Sequence, residues 1–237
     1  MSIPVSLSMP ALPSRNSAPR PLVAGLLHQR REAAVPTVVR DAVTTGHPVV
    51  AASVLTAAVG TDADAGAVIV ELDVAPRALQ SAIDHRAVRY HVDCPPEQIE
   101  DAVDLRLSAP VAVFVTPDDS VATLAESAQL LADAGHSPGL IAGQPVEAVA
   151  DFLAVLTHTS VGFVARANDG AEVLALLAGT VASLRGDDVR AALAAPDLAA
   201  LAALIPDAAE AVRGVLLGIE VPDPHEVDRV LADAGLL

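Results

Sequence analysis

The chain has no lysine and no tryptophan, and in 237 residues it carries one cysteine, one tyrosine and three phenylalanines. Each shortage removes a class of chemistry. Without lysine there is no Schiff-base aldolase, no covalently held pyridoxal phosphate and no P-loop lysine; all 14 basic residues are arginines. The lone Cys94 can form neither an intrachain disulfide nor a multi-cysteine zinc site, and it suits a reducing cytoplasm. With aromatics at 2%, stacking on bases or sugars is hardly available, and the core has to be built from Ala, Val, Leu and Ile. No apolar run reaches the roughly 18 to 20 residues that cross a bilayer. Positive charge is scarce and scattered: the formal net charge of −16 argues against nucleic acid and anionic membrane surfaces as partners. No G-x-G-x-x-G, no G-x-x-x-x-G-K-[ST] and no G-x-S-x-G occurs, which leaves Rossmann, P-loop and serine-hydrolase readings without support.

What is present is a globular composition, 52% hydrophobic, in a chain long enough to bury a substantial core. Residues 1–20, MSIPVSLSMPALPSRNSAPR, read as a Pro/Ser-rich arm and not as a signal peptide. From residue 21 to 186, apolar runs alternate with helical stretches. AAVPTVVRDAVTTG reads as a helix closed by Gly46, HPVVAASVL as a strand entering a short helix, and AGAVIVELDV as a strand. APRALQSAIDHR reads as a helix with Pro76 in its first turn, AVRYHVDC as a strand and PPEQIEDAVDLR as a helix. PVAVFVTP is the best strand. DDSVATLAESAQLLADAG is the clearest helix, with Asp118, Asp119 or Ser120 as its cap. SPGLIAG, a helix from Pro145 to Leu156, SVGFVARA and the helix AEVLALLAGTVASL follow.

Strands recur every ~20 to 25 residues, one βα unit apart, and continuous apolar strands between helices imply a parallel sheet covered on both faces. The expected fold is an α/β, TIM-like (β/α) barrel. Six strands are clear, a seventh is suggested at PLVAGLL, and residues 187–237 read as Ala/Leu-rich helices with no last strand. An open doubly wound sheet is the alternative.

Either architecture places its site at the C-terminal ends of the strands. That rule selects Glu71 and Asp73, His91 and Asp93, Thr116 with Asp118, Gly143 with Gln144, and Arg166 with Asn168. Strand alternation puts Glu71 with Asp73, and His91 with Asp93, on one face. Carboxylates that share a site push each other's pKa apart, as acid/base work requires, and Asp73, His91 and Asp93 could hold a divalent metal. The plainer reading is polar strand ends paired with Arg77, Arg86 and Arg89. Arg166 and Asn168 could clamp an anionic substrate group beside a helix N-terminus, or Arg166 could pair with Asp169 or Asp118. His158 sits at a helix-to-strand junction, Cys94 reads as a buried thiol, and His136 and His225 read as solvated turn histidines.

Two fragments resemble known families. THTSVGFVA resembles the sixth-strand segment of deoxyribose-phosphate aldolases, whose catalytic lysine is here His158, so that mechanism does not carry over. YHVDC resembles the metal-binding H-x-D strand of pentose-phosphate epimerases at His91 and Asp93, without the second aspartate and glycine. Both families are phosphate-binding barrels, and that is what the resemblance implies here.

The expected function is that of a cytoplasmic isomerase or lyase moving a proton on a small anionic metabolite, for instance a phosphorylated one. It would work without a cofactor or with a divalent metal, as a homo-oligomer. The alternative is a non-catalytic subunit or scaffold that binds a protein partner through its C-terminal helices.

Overall fold

The valine-rich run bounded by prolines forms β5 (Val111–Val115), all five residues of which are buried. A strand buried on both faces needs covering layers inside and outside, and the computed structural model, which describes residues 20–34, 42–60, 64–116 and 123–237, supplies them by closing a barrel. The other strands are β1 (Leu27–Arg31), β2 (Val49–Ala51), β3 (Asp64–Glu71), β4 (Asp84–Cys94), β6 (Ser137–Leu140), β7 (Phe163–Arg166) and β8 (Leu216–Val221). All neighbours pair in parallel, in chain order, and β8 closes on β1 through Leu27↔Ile219, His28↔Glu220 and Gln29↔Val221. The fold is therefore the complete eight-stranded barrel, and the open-sheet alternative is excluded.

Helices α1 (Ala52–Ala57), α2 (Ile99–Val103), α3 (Leu124–Asp133), α4 (Val146–Leu156), α5 (Gly170–Arg185), α6 (Val189–Ala194), α7 (Leu198–Ala202), α8 (Pro206–Val215) and α9 (Pro224–Asp233) surround it. Outward-facing strand residues divide into two apolar clusters. Val50, Val68, Val70, Tyr90, Val111, Val113 and Val115 meet Leu55 and Ala102 on the α1–α2 side. Leu27, Leu140, Phe163, Leu216 and Ile219 meet α4, α5, α8 and α9. Inside, Ala112, Phe114 and Val164 form a small third cluster with Ile141 and Leu217.

Four readings of the sequence change. The segment 187–237 is not purely helical, because it contains β8. PLVAGLL is not a strand; Leu22–Gly25 turn, and β1 begins only at Leu27. APRALQSAIDHR makes only a tight 3₁₀ turn, Pro76–Ser81, before β4 starts at Asp84. In AAVPTVVRDAVTTG, residues 35–41 lie outside the described set. Residues 42–46 form a turn in which Gly46 N donates to Leu27 O (2.8 Å), so Gly46 caps no helix there. Asp118, Asp119 and Ser120 also lie outside the described residues, as does the arm up to residue 19. The cap of α3 is Thr123: its hydroxyl accepts from Glu126 N (3.2 Å), and Glu126 accepts in return from Thr123 N (2.8 Å). Among the described residues no helix is long and apolar enough to cross a membrane.

Candidate functional site

At the C-terminal mouth charged side chains gather at the inward-facing positions of several strands. On β3, Ile69 is inward and Glu71 is the next inward residue; on β4 the sequence is Arg89, His91, Asp93. Arg166 ends β7 beyond Val164, and β1 and β8 add Arg30 and Glu220. The barrel registers bring these together: Glu71 stands beside His91, and Arg166 beside Glu220.

Arg30 bridges two carboxylates. Its Nη1 donates to Glu71 Oε2 at 2.5 Å, and its Nη2 and Nε donate to Glu220 Oε1 at 2.8 and 3.2 Å. Arg166 donates through Nη1 to Asp93 Oδ1 at 2.6 Å and through Nε to Glu220 Oε2 at 3.4 Å, while its Nη2 lies 3.8 Å from Glu71 Oε1. The guanidinium sits over the Phe114 ring, 4.0 Å from its centre. Phe114 can occupy this place because β6 presents Gly139 beneath it; a Cβ there would fall 2.5 Å from the ring. His91, fully buried, places Nδ1 3.5 Å from Glu220 Oε2.

These contacts set the protonation of the cluster. Burial raises the Glu71 carboxyl above its ordinary value, and Arg30 offsets this only in part. Burial would raise Glu220 too, but the nearby His91 ring, Arg166 and Arg30 together draw it down to about 2. Burial also lowers His91, against the pull of Glu220. Two buried carboxylates joined by one arginine are thus displaced in opposite directions.

Of the residues selected from the sequence, Glu71, His91, Asp93 and Arg166 converge here. Asp73 does not. The alternation expected to carry it to the mouth stops at Glu71, where the chain folds back and Asp73 N donates to Glu71 O at 3.2 Å. Its carboxylate instead accepts from Ser53 N at 2.8 Å and from the Ser53 hydroxyl, capping α1, and these bonds hold it below its ordinary value despite some desolvation. Asn168 stays exposed on the rim, and the N-cap of α5 is Asp169. The Asn168 backbone N and Gly143 N both donate to Glu172, at 2.8 and 2.6 Å. Thr116 is exposed on the rim, Gln144 half-buried, and Asp118 lies outside the described residues. The arginines that pair with the carboxylates are Arg30 and Arg166, not Arg77, Arg86 or Arg89. Among the described residues no three His, Cys, Asp or Glu are placed to hold a metal ion, and the set Asp73, His91 and Asp93 is dispersed by the Ser53 contact.

Cys94 is a buried thiol that donates to Pro95 O and is raised by burial, Glu97 and Asp101. His158 and His225 are exposed. His136 is not the solvated histidine expected: it is buried, with Nε2 donating to Val103 O at 3.0 Å.

No protein-family model matches the chain, and no curated protein or solved structure matches it significantly. The site is therefore defined by its own geometry.

Arg30, Glu220 and Phe114 complete it, and sequence reasoning missed all three. The signal for Glu220 was an apolar run ending in an acid, LLGIEV, of the same form as AVIVE at Glu71. A cleft of about 460 Å³ between α5, α6 and α7 is lined mainly by alanines with Arg185, Asp187, Asp188 and Asp197 at its rim. It holds no buried pair of titratable groups such as the mouth brings together.

Proposed function

We propose that the chain is a proton-transfer enzyme of isomerase or lyase type, acting on a small anionic metabolite at the C-terminal mouth of the barrel. The observation that carries this reading is the Glu71–Arg30–Glu220 arrangement, in which one buried carboxyl is raised and the other held ionised. Glu71 is the group that gives and takes the proton, since a raised carboxyl exchanges it nearer to neutral pH. Glu220 is a permanent anion that orients Arg30, Arg166 and neutral His91. Arg166, at the edge of the cluster and partly open, meets the anionic group of the substrate.

The reaction class can be tested before the substrate is known. Small carboxylated and phosphorylated metabolites, incubated with the protein in deuterium oxide, should include one that loses a carbon-bound proton resonance in the proton NMR spectrum. Glu71→Gln should slow that exchange by roughly 10²- to 10⁴-fold, the usual contribution of a general acid or base. Undiminished exchange in this variant would remove Glu71 from the mechanism.

A further inference from the structure

We propose that Asp93 is an internal stand-in for the substrate's carboxylate, and that a small monocarboxylate displaces it from Arg166 to form a two-point pair with Nη1 and Nη2. The inference deepens the function proposed above by naming the anion, and it rests on that reading of the mouth.

Arg166 is held on one side and free to exchange on the other. Phe114 under its plane and Glu220 on Nε fix the guanidinium. Its outer contact is Asp93, whose side chain is 54% exposed and which uses one oxygen, Oδ1, on Nη1 alone. Nη2 is buried and makes no hydrogen bond, with Glu71 still 3.8 Å away. An arginine fork left with one arm unpaired is a costly resting state, and a planar carboxylate seated across Nη1 and Nη2 satisfies both. Asp93 has little to hold it in place against such a ligand, because exposed carboxylates solvate readily.

Charge and backbone favour carboxylate over phosphate. The cluster opposes three carboxylates, Glu71, Asp93 and Glu220, with two guanidinium groups, Arg30 and Arg166. A monocarboxylate taking the place of Asp93 on Arg166 adds one negative charge to a mouth that still carries Asp93, whereas a phosphate dianion adds two. The backbone donors that could cradle phosphate in this part of the barrel, Gly143 N and Asn168 N, are already filled by the carboxylate of Glu172. A monocarboxylate on Arg166 would also lie beside Glu71, which is where a proton on the neighbouring carbon has to be to be exchanged.

The test uses the full chain and needs no turnover. Wild type, D93N, D93S, R166K and R166K/D93N are titrated with acetate and, separately, with inorganic phosphate at matched ionic strength, with affinity read from broadening of ligand resonances. Removing an internal competitor raises apparent affinity by the fraction of time it blocked the site, so D93N and D93S should bind acetate about fivefold or more tightly than wild type. Phosphate should gain less than acetate. In R166K, which keeps the charge but loses the fork, the Asp93 substitution should no longer matter. Unchanged or weaker acetate binding in both Asp93 variants overturns the proposal, as does an equal gain in the R166K background or a larger gain for phosphate. Failure here leaves the proton-exchange test of Glu71 standing. Success here without exchange on any carboxylate would keep the clamp and remove the enzyme.

Discussion

Glu71 and Glu220 are both buried carboxylates on neighbouring arginines, yet substitution should affect them in opposite ways. Glu220 is drawn down to about 2 by three partners, so its charge is stabilised by the fold. Glu220→Gln leaves Arg30, Arg166 and His91 short of an acceptor and should cost about 3 kcal/mol, as breaking a buried pair usually does. For a chain of this size that is a fall in Tm of roughly 6 to 12 °C. Glu71 is raised, so its ionised form is held in the fold at a disadvantage that Arg30 only partly repays. Glu71→Gln should leave Tm at pH 7 equal to or above wild type while slowing proton exchange by roughly 10²- to 10⁴-fold. A large loss of Tm in Glu71→Gln, or none in Glu220→Gln, would show that their environments have been assigned the wrong way round.

At the scale of elements, loop geometry decides which acids reach the mouth. Asp73 follows Glu71 by two residues, but the bend after β3 turns its carboxylate onto the first turn of α1. Asp73→Ala should therefore behave as the loss of a helix cap, costing about 1 kcal/mol in denaturant melts and leaving acetate affinity unchanged. Gly139→Ala should do the reverse. Its Cβ pushes the Phe114 ring, loosening Arg166 above it, so ligand affinity falls along with stability by about 1 to 3 kcal/mol. The sequence showed β3, β4, β5 and β7 because outward Val and Phe positions make continuous apolar runs, and with them Glu71, His91, Asp93 and Arg166. It hid β1 and β8 for separate physical reasons. In β1, LHQRR, the inward positions are His28 and Arg30, so a strand that serves the site loses its apolar signature. In β8, Leu216 passes from the last turn of α8 directly into the strand, so AVRGVLLGIEV reads as one continuous helix. Arg30 and Glu220 were lost with those two strands. Asp73 was misplaced because period-two alternation holds only while the strand lasts.

For the molecule as a whole, the barrel interior is polar well below the mouth, and this sets its response to acid. His28 on β1 is buried, its Nδ1 2.9 Å from His47 O and its ring packed against Gly46 and Gly218, where a Cβ would come within 2.4 and 2.0 Å of it. Burial, Arg89 and His91 hold it down to about 3, and His91 is lowered in the same sense. The folded protein therefore keeps these rings neutral where the unfolded chain, titrating near 6.5, takes up protons. Stability should fall as pH drops below about 6.5, by ~1.4 kcal/mol per pH unit for His28 alone, or about 2 kcal/mol by pH 5. Glu220 opens a second window lower down: its contribution is complete above the unfolded carboxyl value of ~4.3 and is lost as pH falls towards 2. Glu71, being raised, works against both, recovering stability as it takes up its proton. Urea denaturation at pH 7.5, 6.5, 5.0 and 3.5 separates these contributions. His28→Leu, close in size and unable to titrate, should lessen the slope over the whole range from 6.5 to 3.5, whereas Glu220→Gln should leave the slope between 6.5 and 5.0 as it is and lessen only the part below about 4.3. A curve level from 7.5 to 5.0 in both the wild type and Glu71→Gln would mean that His28 takes up protons in the folded barrel.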